Sequence, residues 1–225
     1  MKKNEITLKT TLVLLSILSV MEVFLLSIHI VNKNTVYLVL LLSLVCISIF
    51  IIARFYSQKF DETKRSMIMK KILRMIFVVY IVILVYLVLF DESFGRTGLH
   101  FDYSDFDEYM ENSFNIFPFV TIARYPIRYT SLSVFSTNIL GNLLALAPNS
   151  FFSPIISKKK INFKKICLVG VLGSLLIELL QLATLSGSFD IDDIILNSVG
   201  MVLMYLLLNI KIIKKGIVRI TNINY

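Results

Sequence analysis

Six apolar stretches, each close to twenty residues long, limit what this chain can fold into: 7–31, 35–53, 72–90, 134–156, 167–185 and 191–213. A helix of about twenty residues rises about 30 Å, the thickness of a bilayer's hydrocarbon layer, and satisfies its own backbone there. Barrel strands would alternate in short segments, whereas these runs are continuous. With 56% of its 225 residues hydrophobic, the chain leaves no room for a separate soluble domain. The expected fold class is all-α: a polytopic α-helical membrane protein with six transmembrane helices. The start, Met1-Lys-Lys-Asn-Glu5, resembles a signal-peptide n-region, but a long apolar run and a second span follow with no A-x-A site. It reads as an uncleaved first helix.

The net charge is +8, and its distribution sets the orientation. Nineteen of the twenty-three basic residues lie before the first run, between the second and third or the fourth and fifth, or after the last, counting Lys9, Arg74 and Lys211 just inside the run edges. Only Lys33, Arg96, Arg124 and Arg128 fall on the opposite side if the helices alternate. The positive-inside rule then places both the N and C termini in the cytoplasm. Such charge speaks for topology and for anionic lipid headgroups, not for nucleic acid. Cys46 and Cys167 lie within or at the inner ends of apolar runs, so both read as small buried hydrophobes without a disulfide.

Three regions follow. Residues 1–71 form an N-terminal transmembrane hairpin and a basic cytoplasmic loop, residues 72–213 a four-helix membrane domain with an external loop at 91–133, and residues 214–225 a basic C-terminal tail. Glu22 and His29, seven apart on the first helix, share a face and read as a buried polar contact rather than a proton-handling pair. The external loop begins acidic, without the glycine and terminal glutamate of an EF-hand, and reads as solvated. His100 reads as idle. The second half of the loop, 114–129, is apolar and aromatic, broken by Pro118 and Pro126, and carries Arg124 and Arg128. It suits a segment lying in the outer headgroup layer.

The chemistry concentrates in the last three runs. In the fourth, Asn138, Asn142, Ala145 and Asn149 fall on one helical stripe. In the fifth, Gly170, Ser174, Glu178 and Gln181 do the same. In the sixth the stripe is Asp193, Asn197 and Gly200, with Asp190 a turn earlier. Small residues let backbones approach and polar ones bond across helices, so the stripes should face one another. Asp192 is off the stripe and is expected to point away, toward headgroups. At about 1.5 Å per residue, Asn138 and Asn142 lie roughly 6 and 12 Å inside the outer surface. Gln181 and Glu178 lie roughly 6 and 10 Å in, and Asp193 and Asn197 roughly 3 and 9 Å. A polar pocket open to the outside meets these depths. An ionisable group in mid-bilayer costs roughly 2.5–3.5 kcal/mol, so Glu178 with the Asp190, Asp192 and Asp193 cluster suggests a binding or catalytic task. Repulsion among these acids calls for a cation, a proton, or Arg124 and Arg128 to offset it.

These residues resemble the VanZ-like family of bacterial membrane proteins. The resemblance rests on Asn115-Ile-Phe-Pro-Phe-Val-Thr-Ile122, Asn138-Ile-Leu-Gly-Asn142 with Pro148, Ile177-Glu-Leu-Leu-Gln181, and Phe189-Asp-Ile-Asp-Asp-Ile-Ile-Leu-Asn-Ser-Val-Gly200. It covers about 72–208. It implies a multi-pass protein of the bacterial cell membrane, in a family some of whose members are linked to low-level resistance to teicoplanin-type glycopeptide antibiotics. It does not supply a reaction.

The leading expectation is a non-enzymatic envelope protein whose outward pocket of Asn138, Asn142, Glu178, Gln181, Asp190, Asp193 and Asn197 binds an amphiphile. Arg124 and Arg128 would hold its phosphate or carboxylate. The partners expected are membrane lipids and a cell-wall precursor or lipoglycopeptide. An alternative is a membrane enzyme acting on a lipid-linked phosphate or ester, with Glu178 or Asp193 as catalytic acid/base, with or without a divalent cation shared with Asp190. A second is a proton-coupled transporter or flippase titrating Glu178. No cofactor and no resident metal are expected, and the oligomeric state is left open.

Overall fold

The computed structural model describes residues 33–92, 96–123, 132–157 and 161–223. The first expected span, with Glu22 and His29, lies outside the described residues, as do Arg124 and Arg128. Eight helices are described: α1 (Lys33–Ser57), α2 (Glu62–Leu89), α3 (Phe106–Ser113), α4 (Leu132–Ala145), α5 (Asn149–Ile156), α6 (Phe163–Thr184), α7 (Ile191–Asn209) and α8 (Lys211–Thr221). Two short strands, β1 (Phe114–Asn115) and β2 (Phe189–Asp190), pair in parallel.

Five segments among the described residues are long and apolar enough to cross a membrane: Val39–Ser57, Glu62–Leu89, Asn138–Ile156, Phe163–Thr184 and Ile191–Asn209. Their outward faces are aliphatic, as lipid requires. Leu168, Leu172, Leu176 and Leu179 are exposed on α6, while Gly170, Ser174, Glu178 and Gln181 are buried on its opposite side. The protein is an all-α polytopic membrane protein.

Local chemistry explains where the helices depart from the apolar runs. α2 begins ten residues before its run, at Glu62, because Asp61 caps the amide of Lys64 and the basic residues that follow are good helix formers. Arg65 fastens the preceding turn by donating to the carbonyls of Ser57, Gln58 and Phe60. The single helix expected over 134–156 is instead two. Pro148 has no amide to continue α4 and its ring obstructs the turn before it, so the chain bends and restarts at Asn149. The run at 191–213 is likewise divided. α7 stops at Asn209, Ile210 adopts a non-helical ψ of 126°, and α8 follows at once. The supposed tail is thus largely helical and packed. Ile217 and Ile220 are buried, and Ile223 joins a core with Ala53, Met69, Leu73, Phe152 and Ile155.

The bundle centres on α7, which packs against α6 and α4. Glycine makes the second contact possible: a Cβ on Gly200 would lie 1.8 Å from the carbonyl oxygen of Leu143. Gly170 allows a similar, looser approach, its notional Cβ meeting the Ser198 Cα at 3.3 Å. At the same end of α4, the Tyr80 hydroxyl donates to the Ala145 carbonyl at 2.5 Å and accepts from Asn149 Nδ2 at 3.1 Å. The Ser150 hydroxyl reaches the Met201 carbonyl at 2.6 Å. The backbone groups freed at the Pro148 break therefore retain partners nearby.

Candidate functional site

The site forms where α6 ends and α7 begins. The chain leaves α6 through Leu185, in the left-handed region at φ 49°, and the last carbonyls of the helix require donors. The loop after α2 supplies them. His100 donates its amide to Thr184 O at 2.8 Å and Tyr103 its hydroxyl to Ala183 O at 2.5 Å; just past the helix, Thr97 donates its amide to Ser186 O at 3.1 Å and Tyr109 its hydroxyl to Gly187 O. This loop also carries Arg96 over Gly187, where a Cβ would meet the guanidinium.

Strand pairing then brings distant polar side chains into register. Phe114 faces Phe189 with stacked rings 4.9 Å apart, and Asn115 faces Asp190. Asn115 Nδ2 donates to Asp190 Oδ1 at 2.9 Å. The same oxygen caps α7 by accepting from the Asp192 amide at 2.9 Å. Nearly two turns before the end of α6, Glu178 Oε2 accepts the Asp190 amide at 2.8 Å.

Asp192 corrects the expectation that it points toward headgroups. Its side chain is fully buried and accepts from the amides of Phe119, Thr121 (2.8 Å) and Ile122 (3.0 Å). Those three donors lie at the start of a helical turn, so the carboxylate acts as its cap and holds the aromatic loop over α7. The loop still presents Ile116, Phe117 and Phe119 outward.

Beneath this clamp the stripes meet. Asn142 on α4 donates Nδ2 to Asp193 Oδ1 on α7. Asn197 Nδ2 donates to Ser174 Oγ on α6 at 3.0 Å and to the Asp193 carbonyl at 2.8 Å. Gln181 turns instead toward α2, donating to the Val88 carbonyl at 2.8 Å. Asn149 departs from its expected stripe altogether, because the Pro148 break turns it to Tyr80. Asn138, partly exposed, lies one turn before Asn142.

Burial grades these groups. Glu178, Gln181 and Asn197 are almost wholly enclosed, whereas Asn142, Asp193 and Arg96 are only partly covered. Two enclosed acceptors, Gln181 Oε1 and Asn197 Oδ1, have no hydrogen-bond partner among the described residues. The Arg96 guanidinium lies against Gly187, three residues before Asp190, a basic group near the acids; Arg124 and Arg128, one of the offsets expected for them, lie outside the described residues. Neither Arg96 nor Asn115 carried a periodic signal. Among the described residues, no group of three or more acidic, histidine or cysteine side chains is arranged to hold a metal ion. The arrangement offers acceptors beside one guanidinium, which suits hydrogen-bond donors or a compact zwitterion.

A family model described as VanZ/LLP1 matches residues 77–213, a span that contains every member of this cluster. No curated protein and no solved structure matches the chain.

Proposed function

The chain belongs to the VanZ/LLP1 family, and on that premise we propose that the α4–α6–α7 cluster binds the polar head of an amphiphile at the outer face of the bacterial cell membrane. The observation that carries this reading is the graded burial. Asp193, Asn142 and Arg96 form a partly accessible rim, and unfilled acceptors on Gln181 and Asn197 lie deeper. A buried acceptor without a donor costs about 1–3 kcal/mol, so a hydroxyl, amide or ammonium entering from the rim is favoured. Cell-wall precursors, lipid headgroups and lipoglycopeptides all offer such donors beside an acyl chain. The exposed Ile116, Phe117 and Phe119 stand beside the rim to receive that chain. Through such binding the protein modulates susceptibility to teicoplanin-type glycopeptides.

Two carboxyl groups within one cluster, Glu178 on the Asp190 amide and Asp193 on Asn142, favour a second reading, a membrane enzyme using one of them as acid/base on a lipid-linked phosphate or ester. Both readings are tested by Glu178→Gln and Asp193→Asn variants at matched membrane expression, scored for teicoplanin susceptibility in a strain lacking the native copy. Binding predicts that both lose the wild-type effect while purified protein leaves labelled lipid intermediates intact. Turnover of those intermediates would transfer the assignment to the enzyme. Wild-type behaviour of both variants would reduce the cluster to interhelical bonding.

A further inference from the structure

The other end of α7 carries a surface that the acid cluster does not explain. We infer that α8 is an interfacial helix whose basic face binds the phosphate of an anionic membrane lipid.

The argument starts from position. α7 runs about 27 Å from the acid cluster to Asn209, close to one hydrocarbon thickness. A single hinge residue, Ile210, separates it from α8, so α8 begins at headgroup depth. Its roll about its own axis is fixed from within. Ile217 and Ile220 are buried, Ile223 packs in the core under α1, α2 and α5, and Arg54 at the end of α1 donates to the Arg219 carbonyl at 2.9 Å.

That anchoring leaves the opposite face outward. Lys211, Lys214, Lys215, Val218 and Arg219 line one shallow depression. Four cations within about two helical turns repel one another unless an anion lies among them. Beside them Ile212 is 82% exposed, an apolar side chain on an otherwise basic surface. Lysine stems and an isoleucine reaching into acyl chains, with ammonium groups at phosphate level, describe an interfacial helix. Charge complementarity and depth together select an anionic phospholipid headgroup as the occupant.

The test uses the full chain in nanodiscs of mixed phosphatidylglycerol and phosphatidylcholine, with lipid retention read by native mass spectrometry. Wild type should retain phosphatidylglycerol selectively. The triple variant K211Q/K214Q/K215Q should lose that selectivity by about fivefold for each charge removed. The variant K211R/K214R/K215R, which keeps the charge, should retain it and shows that the helix still folds. Equal retention by wild type and the glutamine variant would overturn the inference, as would equal binding of both lipids by wild type.

Discussion

Gly200→Ala probes the tightest helix contact in the protein. The added methyl would lie 1.8 Å from the Leu143 carbonyl oxygen, and ordinary contact begins at 3.4 Å, so α4 and α7 must separate locally by about 1.6 Å. The obstacle is backbone, which cannot rotate aside as a side chain would. Overpacking of a core typically costs about 1–3 kcal/mol, and a rigid obstacle places this case near 3 kcal/mol. For a chain of this size each kcal/mol moves Tm by about 2–4 °C, giving a fall of about 6–12 °C. Circular dichroism during heating of purified protein in one detergent would read it. Gly216→Ala provides the opposite control, because a Cβ there meets nothing within 4 Å and α8 gains helix propensity. It should raise stability by about 0.5–1 kcal/mol. A Gly200→Ala protein that melts with wild type would refute the close approach and, with it, the mutual facing of Asn142 and Asp193.

Three further outcomes follow from the same geometry. Asp192→Asn removes a charged acceptor from three amides and should cost about 2–4 kcal/mol, visible as faster proteolysis within 114–123; unchanged cleavage would count against the clamp. Burial holds the Tyr109 phenol above its ordinary value near 10, with Arg96 pulling it down and Glu178 pushing it up. Its contribution is therefore complete below pH 10 and declines as pH rises through the raised folded value, so Tyr109→Phe should flatten the alkaline limb of a stability–pH curve. Alkaline phosphatase fused after Gly98 should be active and after Gln58 inactive, because the charge distribution places those loops on opposite sides; the reverse result would invert the site's orientation.

Hydropathy and 3.6-residue spacing carry much of this architecture. The α6 stripe of Gly170, Ser174, Glu178 and Gln181 is its buried face, and Asn142 meets Asp193 across α4 and α7. Spacing alone assumes an unbroken helix, so it could not follow Asn149 past Pro148 to Tyr80. It also treats loops as solvent. Asp192 looked peripheral on a helical wheel, yet the amides that occupy its carboxylate come from an aromatic loop about seventy residues earlier. Arg96 escaped for the same reason, and Asn115 was legible only as part of a family motif without a role, since their partners are set by loop path and strand register. The α8 helix was hidden by composition: its isoleucines extended the last apolar run while its lysines resembled a tail.

The parallel pairing of β1 with β2 also imposes an order on biogenesis. Asn115 and Asp190 are 75 positions apart, and every donor to Asp192 belongs to the earlier segment. A ribosome releasing this chain into a translocon has therefore released α6 and begun α7 before the cap over α7 can close. Until then its backbone amides and aromatic rings await carboxylates still to be synthesised, and any truncation ahead of Asp190 strands them permanently open.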